Sequence, residues 1–220
     1  MKLNMLLSAV MILGFMFSCY GADNDVTEDD SKKFEVMEFS GHNWLVLEVK
    51  DDKALLLSEQ VIETRRYHNT LTDITWSECA IRKYLNTEFL ESFSIEDRNR
   101  ILDTKVVTNN NPWYGTNGGN ATTDKIFLLS LEEVVQYFGD SGQLKNRPKT
   151  DAWLIIDQYG KSRIAYDKDG TASWWCLRSP GLTTYYVAYV NFDGDVYVDG
   201  NSVRNHRLGV RPALWLNLES

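Results

Sequence analysis

Basic charge is scarce in this chain. Its 23 lysines and arginines face 31 aspartates and glutamates, a net charge of −8. Phosphate backbones are held by clustered basic side chains, so the balance argues against nucleic acid as a partner. Proline is also scarce, with four residues, and aromatics make up 12%. That is the composition of a folded globule, not of a disordered chain. The three histidines, His42, His68 and His206, lie far apart and form no H-E-x-x-H spacing. No G-x-S-x-G elbow, P-loop or dinucleotide fingerprint occurs, so no cofactor and no metal is expected. No apolar run reaches the roughly 20 residues of an ordinary membrane span.

What the chain does have begins with "MKLNMLLSAVMILGFMFSC". Lys2 precedes an apolar run from Met5 to Phe17 and then Ser18-Cys19, the order of a secretory signal. A small residue followed by cysteine resembles a bacterial lipoprotein signal. That resemblance implies a signal peptide over 1–18, lipidation of Cys19 and a place on the bacterial cell envelope, at the outer membrane or cell surface. Cleavage after Gly21, giving a secreted or periplasmic protein, is the alternative. Residues 19–33 are polar and acidic and read as a flexible tether. The globular domain then spans 34–220, long enough to bury about 70% of its unfolded surface. Cys79 and Cys176 remain in the domain, and an oxidising compartment invites a disulfide between them. Two buried free thiols are the other reading.

Within the domain, "WLVLEV" and "KALLLSE" flank Asp51-Asp52 as a predicted hairpin. Thr75 to Phe93 reads as a helix, with Thr75 as cap and Glu78 at the capping-box position. Ser94 caps a second helix, with Asp97 at its box position and Ile95, Ile101 and Leu102 as its apolar contribution. Thr108 to Asp124 is a long Asn/Gly/Thr loop. "KIFLLS" reads as a strand, and a third helix is capped by Ser130 and stopped by Gly139. Lys145 to Asp151 is a polar connection. "AWLIIDQYG" and "RIAYDKDG" look extended. Beyond Trp174 almost everything is β, with turns at Asp193-Gly194 and Gly200-Asn201. The predicted class is α+β, with helices in the first half and an antiparallel β meander in the C-terminal half.

The segments "TWSECAIRKYLNTEFL", "GGNATTDKIFLLSLEEVVQYF", "WWCLRSPG" and "GVRPALWLNL" resemble a bacterial family of domains of unknown function found in secreted and multidomain proteins. Cys176 departs from that pattern, where tryptophan more often runs directly into leucine, and so does Cys79. The tail is also similar to C-type-lectin-like and formylglycine-generating-enzyme-like domains. This implies a C-type-lectin-like mixed fold, in which the last strand closes a sheet beside the N-terminal strand. The cysteine chemistry of those enzymes does not carry over, because Cys79 falls on a predicted helix and Cys176 in an aromatic stretch.

Trp174, Trp175 and Leu177 read as core. Arg178 and Arg211 would pair with buried carboxylates or bind carbonyls across the sheet. The pair Glu132/Glu133 reads as a solvated helix face. "DGDVYVDGN" offers oxygens at alternate positions, but Tyr197 occupies a ligand place and two hairpin turns explain the same residues. The best candidate surface is the outward face of the C-terminal hairpins. Alternation sends Val190, Phe192, Val196 and Val198 one way and Tyr189, Asn191, Tyr197 and Asp199 the other. Tyr185, Tyr186, Asn201, Asn205 and His206 extend that face, with Trp113 and Tyr114 on the long loop bordering it. Tyrosine, asparagine and aspartate make an adaptable recognition surface. The expectation is a surface-anchored, non-enzymatic binding module for an extracellular glycan, peptide or protein. The alternatives are an enzyme of unknown reaction, a structural envelope protein, or an ordinary wet sheet face.

Overall fold

The N-terminal strands β1 (Val36–Phe39), β2 (His42–Lys50) and β3 (Lys53–Ser58) form a meander in a computed structural model that describes residues 34–149 and 152–219. The signal segment, Cys19 and the acidic tether lie outside the described residues. Asp51 and Asp52 both have positive φ, 47° and 57°, as the two-residue hairpin expected there requires. The short strand β4 (Glu63–Thr64) follows.

The first helical region departs from expectation. Thr75 makes no capping bond to the backbone; its hydroxyl meets that of Ser77 at 2.9 Å. A 3₁₀ turn over Trp76–Glu78 leads into α1 (Ala80–Tyr84), which loosens into a π turn over Leu85–Phe89. Helix α2 (Ile95–Arg100) is capped as expected, with Ser94 Oγ accepting from the Asp97 N–H at 3.0 Å. Its Ile95 is 71% exposed, not buried; Ile101, just past the helix, supplies the core contact.

Strands β5 (Thr104–Val106) and β6 (Thr122–Asp124) pair at the two ends of the long loop. Only Ile126–Phe127 of "KIFLLS" is strand, β7. Helix α3 (Leu131–Phe138) has the full capping box: Ser130 Oγ accepts from the Glu133 N–H, and Glu133 accepts from the Ser130 N–H. Strand β8 (Leu154–Ile155) precedes a helical turn, α4 (Gly160–Arg163), which joins the two segments expected to be extended. Strands β9 (Ala165–Tyr166) and β10 (Ala172–Ser173) make a small hairpin.

The remaining strands are β11 (Trp175–Pro180), β12 (Tyr186–Val190), β13 (Val196–Ser202), β14 (Gly209–Val210) and β15 (Ala213–Asn217). A six-stranded sheet has the order β4-β14-β11-β12-β13-β8, and a five-stranded sheet the order β1-β2-β3-β15-β7. The fold is α+β with mostly antiparallel sheets, but the C-terminal half is not a plain meander. Strand β14 runs parallel to β11, and β15 leaves for the other sheet to pair with β3. Close approach makes Gly209 necessary there: a Cβ would stand 2.1 Å from the Trp174 carbonyl oxygen. The turn expected at Gly200-Asn201 is instead an irregularity inside β13. Gly200 has φ +80°, and the register shifts between Val187 and Tyr189 of the partner strand.

Three buried arginines brace the centre. Arg178 donates to both carboxylate oxygens of Glu133, to the Leu128 carbonyl (2.7 Å) and to the Val107 carbonyl (3.2 Å). Glu133 is therefore no solvated acid: it caps α3 and holds Arg178 at once. Arg163 forks onto both oxygens of Asp157, at 2.8 and 3.0 Å, with both side chains buried. Arg211 binds the Ser58 and Glu59 carbonyls and lies 4.9 Å from the Trp175 ring centroid. Burial lowers its pKa to about 9. The indole N–H of Trp175 reaches the Arg163 carbonyl at 3.1 Å. Cys79 and Cys176 are free and buried, and burial pushes both thiols up to about 12.

Candidate functional site

Strand alternation places Val190, Val196 and Val198 in the core, as expected. Phe192 does not follow them. It sits in the turn after β12, where alternation no longer applies, and is 50% exposed. Tyr189 and Asn191 are buried, contrary to the outward placement expected of them. The Tyr189 ring stacks on Tyr197, with centroids 4.7 Å apart and planes 17° apart, and is flanked by Trp174 at 5.6 Å. Asn191 closes the turn through backbone bonds with Asp195 and Gly194. From the outward row, Tyr197 and Asp199 stay half-buried, at the edge of solvent.

The long loop reaches this edge because Asn111 staples it there. Its buried amide donates to the Pro180 and Val198 carbonyls, each at 2.8 Å. Its Oδ1 accepts the backbone N–H groups of Trp113 (2.9 Å) and Tyr114 (3.3 Å). The Trp113 indole N–H is taken by the Leu144 carbonyl at 3.0 Å. Arg147 lies over both rings, 4.7 Å from the Tyr114 centroid and 5.2 Å from that of Trp113. It donates to the Tyr114 hydroxyl and twice to the Ala152 carbonyl. The next carbonyl, of Trp153, accepts from the Val198 and Asp199 N–H groups at 3.0 and 3.1 Å. The Trp153 side chain stands 52% exposed on this pinned backbone.

The electrostatics are acidic. Burial raises the Asp199 carboxyl, partly offset by neighbouring backbone N–H groups and by Arg147. Burial also raises Asp195, reinforced by Asp193. The Tyr197 hydroxyl is raised by burial and then by Asp193, Asp195 and Asp199. Asp199 Oδ1 is buried and accepts no hydrogen bond.

The structure brings some of the residues named from the sequence together and scatters others. Arg147 joins Trp113 to Tyr114, and the Asp199 charge acts on both Tyr114 and Tyr197, so these four fall along one edge. Asn201 lies further along β13, opposite Val187, its side-chain oxygen accepting the Ser202 N–H at 2.8 Å. Tyr186 is exposed opposite Ser202. Tyr185 is directed instead to Asp73, its hydroxyl 3.4 Å from Oδ2. Asn205 lies in the turn after β13, its side-chain oxygen taken by the Arg207 N–H, and His206 is exposed beside it. Asn111, Arg147, Trp153 and Trp174 were missed as rim residues. "NNNP" hinted at an Asx turn, but not at which asparagine is buried.

Residues 51–218 match the model of a family described as a domain of unknown function, DUF6273. The chain belongs to this family. No curated protein and no solved structure matches it. The matched stretch of this DUF6273 domain contains the whole rim, from Asn111 to Asn201, and all three bracing arginines.

Other concavities of the DUF6273 domain differ in character. A cleft of about 290 Å³ is lined by Lys105, Glu133, Tyr137, Arg178 and Trp215. Two of its ionisable groups, Arg178 and Glu133, hold each other, and the Tyr137 hydroxyl donates to Glu48 at 2.6 Å. Burial, then Glu48, raises that hydroxyl's pKa. A largely apolar cavity of about 510 Å³ lies between Pro112, Val135 and Leu144. Among the described residues, no three His, Cys, Asp or Glu side chains are grouped to hold a metal ion, and no helix is long and apolar enough to cross a membrane.

Proposed function

We propose that this domain is a surface-anchored, non-enzymatic binding module for an extracellular glycan, peptide or protein, taken up on the rim of the six-stranded sheet. A lipid on Cys19 would hold it to the bacterial envelope. The observation that carries the reading is the stapled loop. Asn111 uses four hydrogen bonds to hold the Trp113–Tyr114 turn against β11 and β13, the second of which carries Tyr197 and Asp199. Rigid aromatic side chains lose little entropy on binding, so preorganising them at a solvent edge favours recognition. A C-type-lectin-like arrangement belongs to the same proposal. Its support is the last strand, β15, returning beside the N-terminal meander; this is likeness of architecture only.

The test is a glycan and peptide array probed with the full chain and with Tyr197→Ala. Binding lost in a variant that still melts cooperatively, no more than a few degrees lower, supports the proposal. Equal binding by both proteins rejects the rim as the site. The anchor is tested by metabolic fatty-acid labelling, which Cys19→Ala should abolish; an unlabelled native chain would favour the secreted or periplasmic alternative. A catalytic reading finds its best footing in the cleft over Arg178, where four ionisable groups converge. Turnover abolished by Lys105→Ala in a folded protein would favour it.

A further inference from the structure

We infer that a second surface of the domain, built from residues 65–74, 184–186 and 202–207, lies against an anionic phospholipid bilayer. This goes beyond the rim as a binding face and does not depend on it.

Backbone hydrogen bonds bring the three segments together. The Arg65 N–H reaches the Leu208 carbonyl at 2.9 Å, so the pairing of β4 with β14 runs on past both strands. Arg66 and Arg207 are the next residues on the two chains. The His68 N–H donates to the Val203 carbonyl at 2.8 Å, and the Val203 N–H to the Tyr185 carbonyl at 3.0 Å. Ile74 closes the group with a bond to the Thr184 carbonyl at 3.4 Å. Tyr185, Tyr186, Asn205 and His206, which the rim does not gather, all belong to these segments.

Charge sets the sign of the partner. Among the described residues, ion pairs engage Arg65, Arg82, Lys125, Arg163 and Arg178. The exposed side chains of Arg66, Arg204 and Arg207 take part in no ion pair or hydrogen bond among the described residues. Asp73 is the acid of these segments, and its carboxylate accepts the Thr184 and Tyr185 hydroxyls. Glu63, just before them, is held by Arg65. Four arginines against one acid stand out in a chain of net charge −8. Like charges on neighbouring chains repel. A phosphate relieves that repulsion, and a guanidinium fork meets it with two parallel hydrogen bonds.

Exposed apolar side chains choose among anions. Leu71, Tyr185 and Tyr186 are exposed on the same segments. A polyanion in water would use the arginines and leave these three solvated. A bilayer uses both, with phosphates for the arginines and the headgroup boundary for tyrosine rings and a leucine. With so little apolar surface the contact is peripheral, set by charge and released by salt. A lipid on Cys19 would bring the domain to the same membrane, and this surface would then decide which way the domain faces.

Hydrogen–deuterium exchange of the full chain, as the cell processes it, tests this with added vesicles. One set is phosphatidylcholine alone; the other mixes in phosphatidylglycerol. Exchange at 66–74 and 202–207 should slow with the anionic vesicles and not with the neutral ones, and high salt should abolish the slowing. A combined Arg66→Gln, Arg204→Gln and Arg207→Gln variant should lose it. Lysine at the same three positions should keep most of it, and Tyr197→Ala should not change it. Circular dichroism melts confirm that each variant is folded. Equal slowing by both vesicles overturns the inference, and so does slowing that the glutamine variant retains. Slowing by polygalacturonate or duplex DNA, with none by vesicles, overturns the bilayer in favour of a soluble polyanion. No slowing by any of them also overturns it. Each of these outcomes leaves the rim to be judged by the Tyr197 array, whose failure would not touch this surface.

Discussion

The arginine-braced centre and the rim of the six-stranded sheet use the same residue types to opposite ends. At the centre, Arg178 is 4% exposed and ties Glu133 to the Leu128 and Val107 carbonyls, joining β11, α3 and the chain after β5. At the rim, Arg147 is exposed and lies on two aromatic rings of a loop. A guanidinium in the interior must satisfy its donors or leave a costly polar group in low dielectric. One at the surface has water as an alternative and contributes little to stability. The same contrast holds for the acids. Hydrogen bonds and charge from Arg163 outweigh burial at Asp157 and leave its carboxyl lowered, whereas burial dominates at Asp199 and leaves it raised. Partners are incomplete in both places: Arg163 Nε, Arg178 Nε and Arg211 Nη1 are buried without an acceptor, as Asp199 Oδ1 is without a donor. What separates the centre is that its guanidinium groups hold carboxylates and carbonyls directly.

Substitutions can break this comparison. Arg178→Ala should have the largest effect, about 3–5 kcal/mol of lost stability read by denaturant unfolding, because it strands Glu133 and two carbonyls. A variant that folds with native stability but loses binding would move Arg178 from scaffold to site. Asn111→Ala should cost less, about 1–3 kcal/mol. Faster amide exchange should then appear at Trp113 and Tyr114, without a change at the α3 amides. Ser130→Ala removes the cap of α3 and should cost about 1 kcal/mol in the same assay. Tyr197→Ala loses a stacked pair worth about 0.5–1.5 kcal/mol, and its main effect should be on binding.

Acid titration sharpens the contrast further. The folded Asp157 carboxyl lies below its unfolded value of about 3.9. The stability it lends is therefore complete at neutral pH and fades as the pH falls from that value through the lowered one. Asp199 has the opposite sign. Its raised carboxyl costs stability at neutral pH, and that cost disappears as the pH falls through the raised value. Urea midpoints measured from pH 7 to pH 3 should show Asp157→Asn destabilised at pH 7 with a flatter acid limb. Asp199→Asn should be neutral or slightly more stable at pH 7. A rim aspartate that behaved like Asp157 would erase the distinction.

Local chemistry was legible where a few neighbouring residues decide the outcome. Asp51-Asp52 turns because short polar side chains tolerate positive φ, and Ser130 caps α3 because its hydroxyl reaches a backbone N–H three residues on. The valines of β12 and β13 face inward because strand side chains alternate. Alternation failed at Phe192, where the strand had already ended, and at Tyr189, whose outward ring is covered by Trp174 and Tyr197. Periodicity says which way a side chain points and nothing about what lies over it. Thr75 lost its predicted cap to Ser77, a competition between two nearby hydroxyl partners that spacing alone does not rank.

The sequence by itself determined the class of the fold, two of the hairpin turns, two helix caps and the residue types present on the C-terminal strands. All of these follow from interactions over a few residues. Tertiary structure alone decided that β14 lies parallel to β11, that Glu133 answers Arg178 across 45 positions, and that Asn111 carries a distant loop to β13. Those contacts join residues far apart in the chain, and only packing of the whole core selects them from the many partners that composition permits.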